Sequence, residues 1–237
     1  AEGGSVLSLE RIRVDGSGFQ LDADLGLPSS TRVAIIGPSG AGKSTLLEIV
    51  AGFRAPLRGR VLWQGRDLTP LAPRARPVAM LFQDQNLFPN LSLSRNIALA
   101  LRPDGWRLRP DEIRQQETVL ARTGLTDVAD RRPGEVSGGQ RARAALARVL
   151  LQKRPILLLD EPFAALGPAL RAEMLTLVRE VADEIGALVL MVTHDPRDAR
   201  AFAEICVLIA DGKVHTPVAT APFFDDPPEA LRRYLGD

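Results

Sequence analysis

Gly37-Pro-Ser-Gly-Ala-Gly-Lys-Ser-Thr45 is the stretch on which the fold turns. It fits the pattern G-x-x-x-x-G-K-[ST], and its flanks supply the required context. The apolar run Arg32 to Ile36 reads as a buried strand, and Lys43 to about Ala51 reads as a helix. Between them Gly37, Pro38, Ser39, Gly40, Ala41 and Gly42 let the backbone curl until successive N–H groups point inward at phosphate oxygens. The helix start adds partial positive charge. Lys43 is expected to reach the β- and γ-phosphates and Ser44 to ligate Mg²⁺, with Thr45 counted among the residues that bind the nucleotide.

Downstream, Ile156-Leu-Leu-Leu-Asp160-Glu161 is an apolar strand ending in two carboxylates. A carboxylate at such a strand end holds Mg²⁺, directly or through water. Asp160 takes that role. Neighbouring side chains diverge, which frees Glu161 to polarise a water beside the terminal phosphate. A second anion-binding element is Ser137-Gly-Gly-Gln140, which opens a helix carrying Arg141, Arg143 and Arg148. Ser137 and the N–H groups of Gly138 and Gly139 would face outward from that helix start. Alone it would pass for an ordinary Ser cap.

The remaining pattern is α/β. Val6 to Val14 and Phe19 to Leu27 alternate and read as an antiparallel hairpin. Arg58 to Arg66 and Val78 to Gln83 read as strands. Helices are expected over Leu91 to Leu101, Pro110 to Thr123 and Gln140 to Gln152, making a helical lobe of about 91–152 inserted in a single domain of 1–237. Strands at Ile156 to Asp160, Leu188 to Thr193 and Ile205 to Ala210 then alternate with helices at Pro168 to Ile185 and Pro196 to Ala203. Leu170, Met174, Leu177, Val178, Val181 and Ile185 share one helical face, a stripe for the core. The continuous apolar strands suit a parallel sheet covered on both faces. After the last strand only a Pro-rich tail, Pro217 to Asp237, is expected.

Composition narrows the partners. Thirty basic and 29 acidic residues leave a net charge of +1, too little one-sign field to hold nucleic acid. The single cysteine, Cys206, excludes an internal disulfide and reads as a small buried hydrophobe. No run approaches the roughly 20 apolar residues that span a bilayer, and the N-terminus has no secretory pattern. A role at a membrane would therefore act through a partner.

Taken in order, Gly37 to Thr45, Gln83, Ser137 to Gln140, Leu157 to Glu161 and His194 resemble the ABC ATPases over nearly the whole chain. The resemblance implies a P-loop NTPase core with an antiparallel N-terminal β region and a helical subdomain. It implies ATP and Mg²⁺ as ligands, hydrolysis to ADP and phosphate, and a homodimer in which each ATP lies between one phosphate loop and the partner's Ser137 to Gln140. Gln83 matches the glutamine that contacts Mg²⁺ and the water, and His194 the histidine that touches the γ-phosphate. His215 has no such context and reads as surface.

Two departures stand out. The family usually has an acid where this chain has Gly167, in Ala164-Ala-Leu-Gly167, which puts communication between the two sites in doubt. The family's adenine-stacking aromatic is missing from Arg11 to Gly18, leaving Phe19 to stack or Val14 as an apolar contact. Arg76 to Leu91 resembles ATPases of bacterial importers, and Arg76 to Leu101 with Leu157 to Val178 resembles those serving thiamine uptake; iron(III), sulfate and polyamine importers are the alternatives, a soluble non-transport ABC ATPase a further one. That resemblance implies transmembrane permease subunits facing Asn86 to Asn96, with Leu87, Phe88 and Leu91 either exposed for them or packed in the helical lobe. It also implies an indirect periplasmic solute-binding protein and a peripheral place on the cytoplasmic face of the inner membrane.

Overall fold

The computed structural model describes residues 6–16, 18–82, 87–105, 107–227 and 229–235. The hairpin forms as β1 (Leu7–Gly16) and β2 (Phe19–Leu27), antiparallel from Leu7 opposite Leu27 to Gly16 opposite Phe19. A bulge between Leu9 and Ile12 puts Arg11 at φ 46°. Then follow β3 (Arg32–Ile36), α1 (Lys43–Ala51), β4 (Arg58–Trp63) and β5 (Arg66–Asp67). The expected single strand over 58–66 is broken. Gln64 and Gly65 have φ of 49° and 77°, the two-residue turn that closes a tight hairpin, and Trp63 pairs with Arg66.

The rest of the chain gives β6 (Val78–Leu81), α2 (Leu93–Ala98), α3 (Pro110–Arg122), α4 (Gly138–Leu151), β7 (Ile156–Asp160), α5 (Pro168–Ile185), β8 (Leu188–Val192), α6 (Pro196–Phe202) and β9 (Ile205–Ala210). The tail is not bare. It carries β10 (Lys213–Val214), β11 (Val218–Ala219), α7 (Thr220–Asp225) and α8 (Glu229–Leu235). Burial of Phe223, Phe224 and Leu231 against the core holds these short helices, which propensity alone would not.

Among the described residues the strands form one mixed sheet, ordered β5-β4-β1-β2-β10-β9-β3-β8-β7-β6, with β11 also on β9. The segment β9-β3-β8-β7-β6 is all parallel. β10 runs parallel to β2 and antiparallel to β9, joining the hairpin region to that sheet. Side chains of each parallel strand alternate between two cores. Val33, Ile35, Leu158 and Leu190 meet α1 and the hairpin. Ala34, Ile36, Leu157, Leu159, Val189 and Met191 meet α4 and α5. Met174, Leu177, Val178 and Val181 of the expected α5 stripe are buried, with Leu170 and Ile185 packed at its margins. Each fully buried aliphatic side chain contributes about 1.5–3 kcal/mol, so a sheet covered on both faces is a stiff mount for what its strand ends carry.

α5 begins on Pro168 and ends at Gly186 in the left-handed conformation, the Pro-first, Gly-last asymmetry of helices. Cys206 is buried beside Thr220. His215 is half-buried rather than at the surface, with its Nε2 enclosed and unpartnered. No helix among the described residues is long and apolar enough to cross a membrane.

Candidate functional site

The carboxyl ends of β3, β7 and β8 converge on one cavity of about 540 Å³, lined by Phe19, the 37–45 loop, Glu161, His194 and Tyr234. Ligands bind at this end of parallel sheets because the loops there are free to close round them. The loop's geometry explains its glycines. A Cβ on Gly37 would lie 2.0 Å from the Ile209 carbonyl oxygen. Gly40 and Gly42 have φ of 76° and 99°, where a side chain is strained. Gly42 is also the N-cap of α1, so the loop delivers its N–H groups at a helix start.

Lys43 is buried, and its Nζ donates to the carbonyls of Gly37 and Pro38, each at 2.8 Å. Burial lowers its pKa, opposed by the charges of Glu161 and Asp160. The ammonium thus sits inside the curl of the loop, on partners that a phosphate oxygen could replace. Ser39 and Gly40 are exposed at the rim, and Thr45 is buried below.

Ser44 Oγ donates to Asp160 Oδ1 at 3.0 Å. Burial raises the Asp160 pKa; the Ser44 hydrogen bond opposes this, and the charges of Glu161 and Glu48 reinforce it. A hydroxyl and a carboxylate, both hard oxygen donors crowded by a second acid, are the set a divalent cation takes. The residues present therefore fit Mg²⁺.

Glu161 has φ 45°, an uncommon conformation for a residue with a side chain. Its N–H donates to the Val192 carbonyl at 3.1 Å, tying the end of β7 to β8. With the turn so fixed, Glu161 leaves Asp160 and meets His194 instead, Oε2 to Nδ1 at 3.2 Å. The imidazole is otherwise open to the cavity, 60% exposed. Strain held at a polar cluster in a cleft is the usual mark of a working site.

Two residues join this site that sequence motifs did not single out. Arg171 on α5 donates to Asp195 at 3.1 Å, to Asp198 at 3.3 Å and to the Leu166 carbonyl at 3.3 Å. It ties the loop after Glu161 to the turn after His194. Asp195 caps α6 by accepting from Arg197 N–H at 2.9 Å. The second residue, Tyr234 on α8, donates from its hydroxyl to the His194 carbonyl at 3.2 Å. No local pattern marks either, because the carboxylates that Arg171 grips and the carbonyl that Tyr234 meets lie more than twenty residues away.

Ser137 to Gln140 lies apart from the residues lining this cavity. It is a capping box: Gln140 N–H donates to Ser137 Oγ at 3.1 Å, and Ser137 N–H donates to Gln140 Oε1 at 2.9 Å. α4 therefore starts on Gly138, two residues earlier than expected. A Cβ on Gly139 would lie 2.5 Å from Leu170 Cδ2, whereas one on Gly138 would make only an ordinary contact, 3.6 Å from the Arg141 guanidinium. Gln83 lies outside the described residues. Val14 is buried opposite Leu21, away from the cavity lining that includes Phe19.

The segment around Phe88 is firmly held. Buried Asn96 accepts from Phe88 N–H at 2.7 Å and donates to the carbonyls of Phe88, Leu91 and Ser92. Leu87 packs on the core and Leu91 is half-buried, while Phe88 remains 54% exposed. The expected exposed trio thus divides, and Phe88 is its outward member.

The geometry can now be set beside known proteins. The family model described as ABC transporter matches residues 21–164. The thiamine import ATP-binding protein ThiQ of Cereibacter sphaeroides is 57% identical over 98% of this chain and its own full length. Among solved structures, the ADP conformation of MJ1267, an ATP-binding cassette of an ABC transporter, superposes with a TM-score of 0.86 over 99% of this chain and 100% of that one, at 23% identity. The dimeric, post-hydrolysis ATP-binding cassette MJ0796, bound to ADP and Pi, superposes at 0.77 over 90% of this chain and 98% of that one, at 28% identity.

Proposed function

The chain belongs to the ABC transporter family of ATP-binding proteins, and from that membership we infer that it is the ATP-hydrolysing subunit of an importer whose solute is thiamine. One observation carries the chemistry. A buried lysine inside a glycine loop, a serine backed by a carboxylate and a glutamate–histidine pair line the same cavity.

The 37–45 loop cradles the phosphates through its N–H groups, and Lys43 exchanges its two carbonyl partners for β- and γ-phosphate oxygens. Ser44 and Asp160 would hold Mg²⁺, with Gln83 joining them as the resemblance implies. Bound there, Mg²⁺ supplies charge neutralisation on the phosphates. Glu161 orients and polarises the attacking water, accepting its proton at Oε2. His194 sits beside it to contact the γ-phosphate. Phe19, on the cavity wall, offers a face for adenine in place of the missing aromatic.

The site of a single chain lacks a lid over the γ-phosphate. Ser137 to Gln140 is not among the residues lining its own cavity, and as a capped helix start with exposed Gly138 it suits an anion presented by a second copy. The dimeric relative bound to ADP and Pi supports this arrangement. Nucleotide then lies within the interface, so ATP closes the dimer and hydrolysis loosens it. Asn96 of the helical lobe of 91–152 holds the segment just before it, and the exposed Phe88 of that segment offers a contact for permease subunits. A periplasmic solute-binding protein and a place on the cytoplasmic face of the inner membrane complete the assembly.

The test is reconstitution in liposomes with the membrane subunits that co-purify and their solute-binding protein. Thiamine should stimulate ATPase activity and accumulate inside. Stimulation by sulfate, a polyamine or iron(III), with none by thiamine, would replace the solute and leave the motor intact. An unstimulated Glu161→Gln complex that still hydrolyses at the parental rate would overturn the site assignment.

A further inference from the structure

The C-terminal helix α8 reaches into the nucleotide site, and its arrangement has more in it than packing. Leu231 is fully buried in the core under α8, and Arg233 pairs with Asp211 at 3.2 Å, which together fix the helix. One turn on from Leu231, Tyr234 rests its ring on the core margin. Its hydroxyl emerges in the cavity that holds Lys43, Ser44 and Glu161. There it donates to the carbonyl of His194 at 3.2 Å. Packing alone would be served by phenylalanine; among the described residues the hydroxyl's partner is the turn that carries the imidazole.

That turn is held at three other points. Thr193 N–H donates to Ile35 carbonyl at 3.2 Å, Asp195 N–H donates to Thr193 Oγ1 at 3.1 Å, and Arg171 grips the Asp195 carboxylate. These bonds secure the residues before and after His194. The bond from Tyr234 secures the carbonyl of His194 itself, from a different element, α8. Burial, with the charges of Glu161 and Asp195, pushes the phenol's pKa up, so the hydroxyl stays a proton donor.

We propose that Tyr234 is a positioning residue of the ATPase site, holding the His194 turn so that the imidazole meets Glu161 and the γ-phosphate in register. The proposal rests on the reading of His194 given above. A misplacement of about 1 Å at such a group is enough to slow a reaction strongly, and a single neutral hydrogen bond is of the right size to matter. α8 thereby becomes part of the catalytic apparatus rather than a trailing end.

The test compares Tyr234→Phe, His194→Ala and the double variant in the full-length chain, measuring steady-state kcat and KM for ATP and single-turnover phosphate release over hours. Tyr234→Phe should lower kcat at least threefold and leave KM within twofold. In the His194→Ala background the same change should cost nothing further, because the group it positions is gone. A smaller loss of kcat, a loss carried by KM, or an equal loss in both backgrounds would each overturn the proposal. Parental turnover in His194→Ala alone would instead remove the reading of His194, a separate failure seen in a separate variant.

Discussion

Replacing Glu161 by glycine and, separately, by alanine probes the backbone on which the proposed base is hung. At φ 45° a Cβ crowds the following carbonyl, at a cost of about 1–2 kcal/mol. Glycine escapes that cost but surrenders about 0.5–1 kcal/mol more chain entropy on folding than alanine. The balance leaves the glycine variant more stable than the alanine variant by about 0.5–1 kcal/mol, the reverse of their order at an ordinary position. For a chain of this size that is a difference of roughly 1–4 °C in melting temperature. The melts are run without nucleotide, since a ligand binding only the folded state would add its own stabilisation. Both variants should also lose ~10²–10⁴ in turnover with the base gone. An alanine variant that melts at or above the glycine variant would refute the left-handed turn, and with it the reason Glu161 points to His194 rather than beside Asp160.

Lys43→Ala should weaken ATP binding at least tenfold by calorimetry, since it removes the only lysine or arginine side chain among the described residues that line the cavity; unchanged affinity would contradict the phosphate-loop assignment. Gly167→Asp should fold without strain, because Gly167 already caps α5 and a Cβ there meets nothing within 4 Å. It should add a few tenths of a kcal/mol through its cap and change the ATP dependence of turnover; an unaltered Hill coefficient would make Gly167 a neutral variant. The Asp195 carboxyl titrates below its usual range because of the hydrogen bond from the Arg197 side chain. A lowered carboxyl stabilises the fold above its unfolded pKa near about 4 and loses that contribution as pH falls through the folded value. The melting temperature should therefore drop below about pH 4, and Asp195→Asn should shallow that drop; an identical acid limb would show that Asp195 contributes nothing to it.

What could be read in advance was whatever the chain writes locally. The glycine loop, the apolar strand with its two acids and the α5 stripe each lie within eighteen residues or fewer, so backbone rules and periodicity reach them. Gln64-Gly65 was also legible as a hairpin turn, yet the apolar run Val61-Leu62-Trp63 drew 58–66 into one strand. The ends of α4 were harder. Gly138 and Gly139 were placed just ahead of the helix, but the capping box and the packing of Gly139 under Leu170 override their low propensity and draw them into it. The tail was illegible for a different reason. α7 and α8 are six and seven residues long, too short to carry a period, and they exist because Phe223, Phe224 and Leu231 find the core. The order of β10 and β11 on the sheet is likewise a tertiary fact.

The same division runs through the site. Its chemistry is local and sits in motifs: Lys43 and Ser44 on one turn, Asp160 and Glu161 on another. Its geometry is long-range. Glu161 is turned by a bond to Val192, Asp195 is gripped by Arg171 from α5, and the His194 carbonyl is met by Tyr234 from α8. Substituting a motif residue removes a reacting group, and its effect should appear whatever the rest of the chain does. Substituting Arg171 or Tyr234 leaves every reacting group present and changes only where it stands. Defects of that second kind are recognised by a fall in kcat that vanishes once His194 is gone, and that dependence separates an organised site from a mere collection of the right side chains.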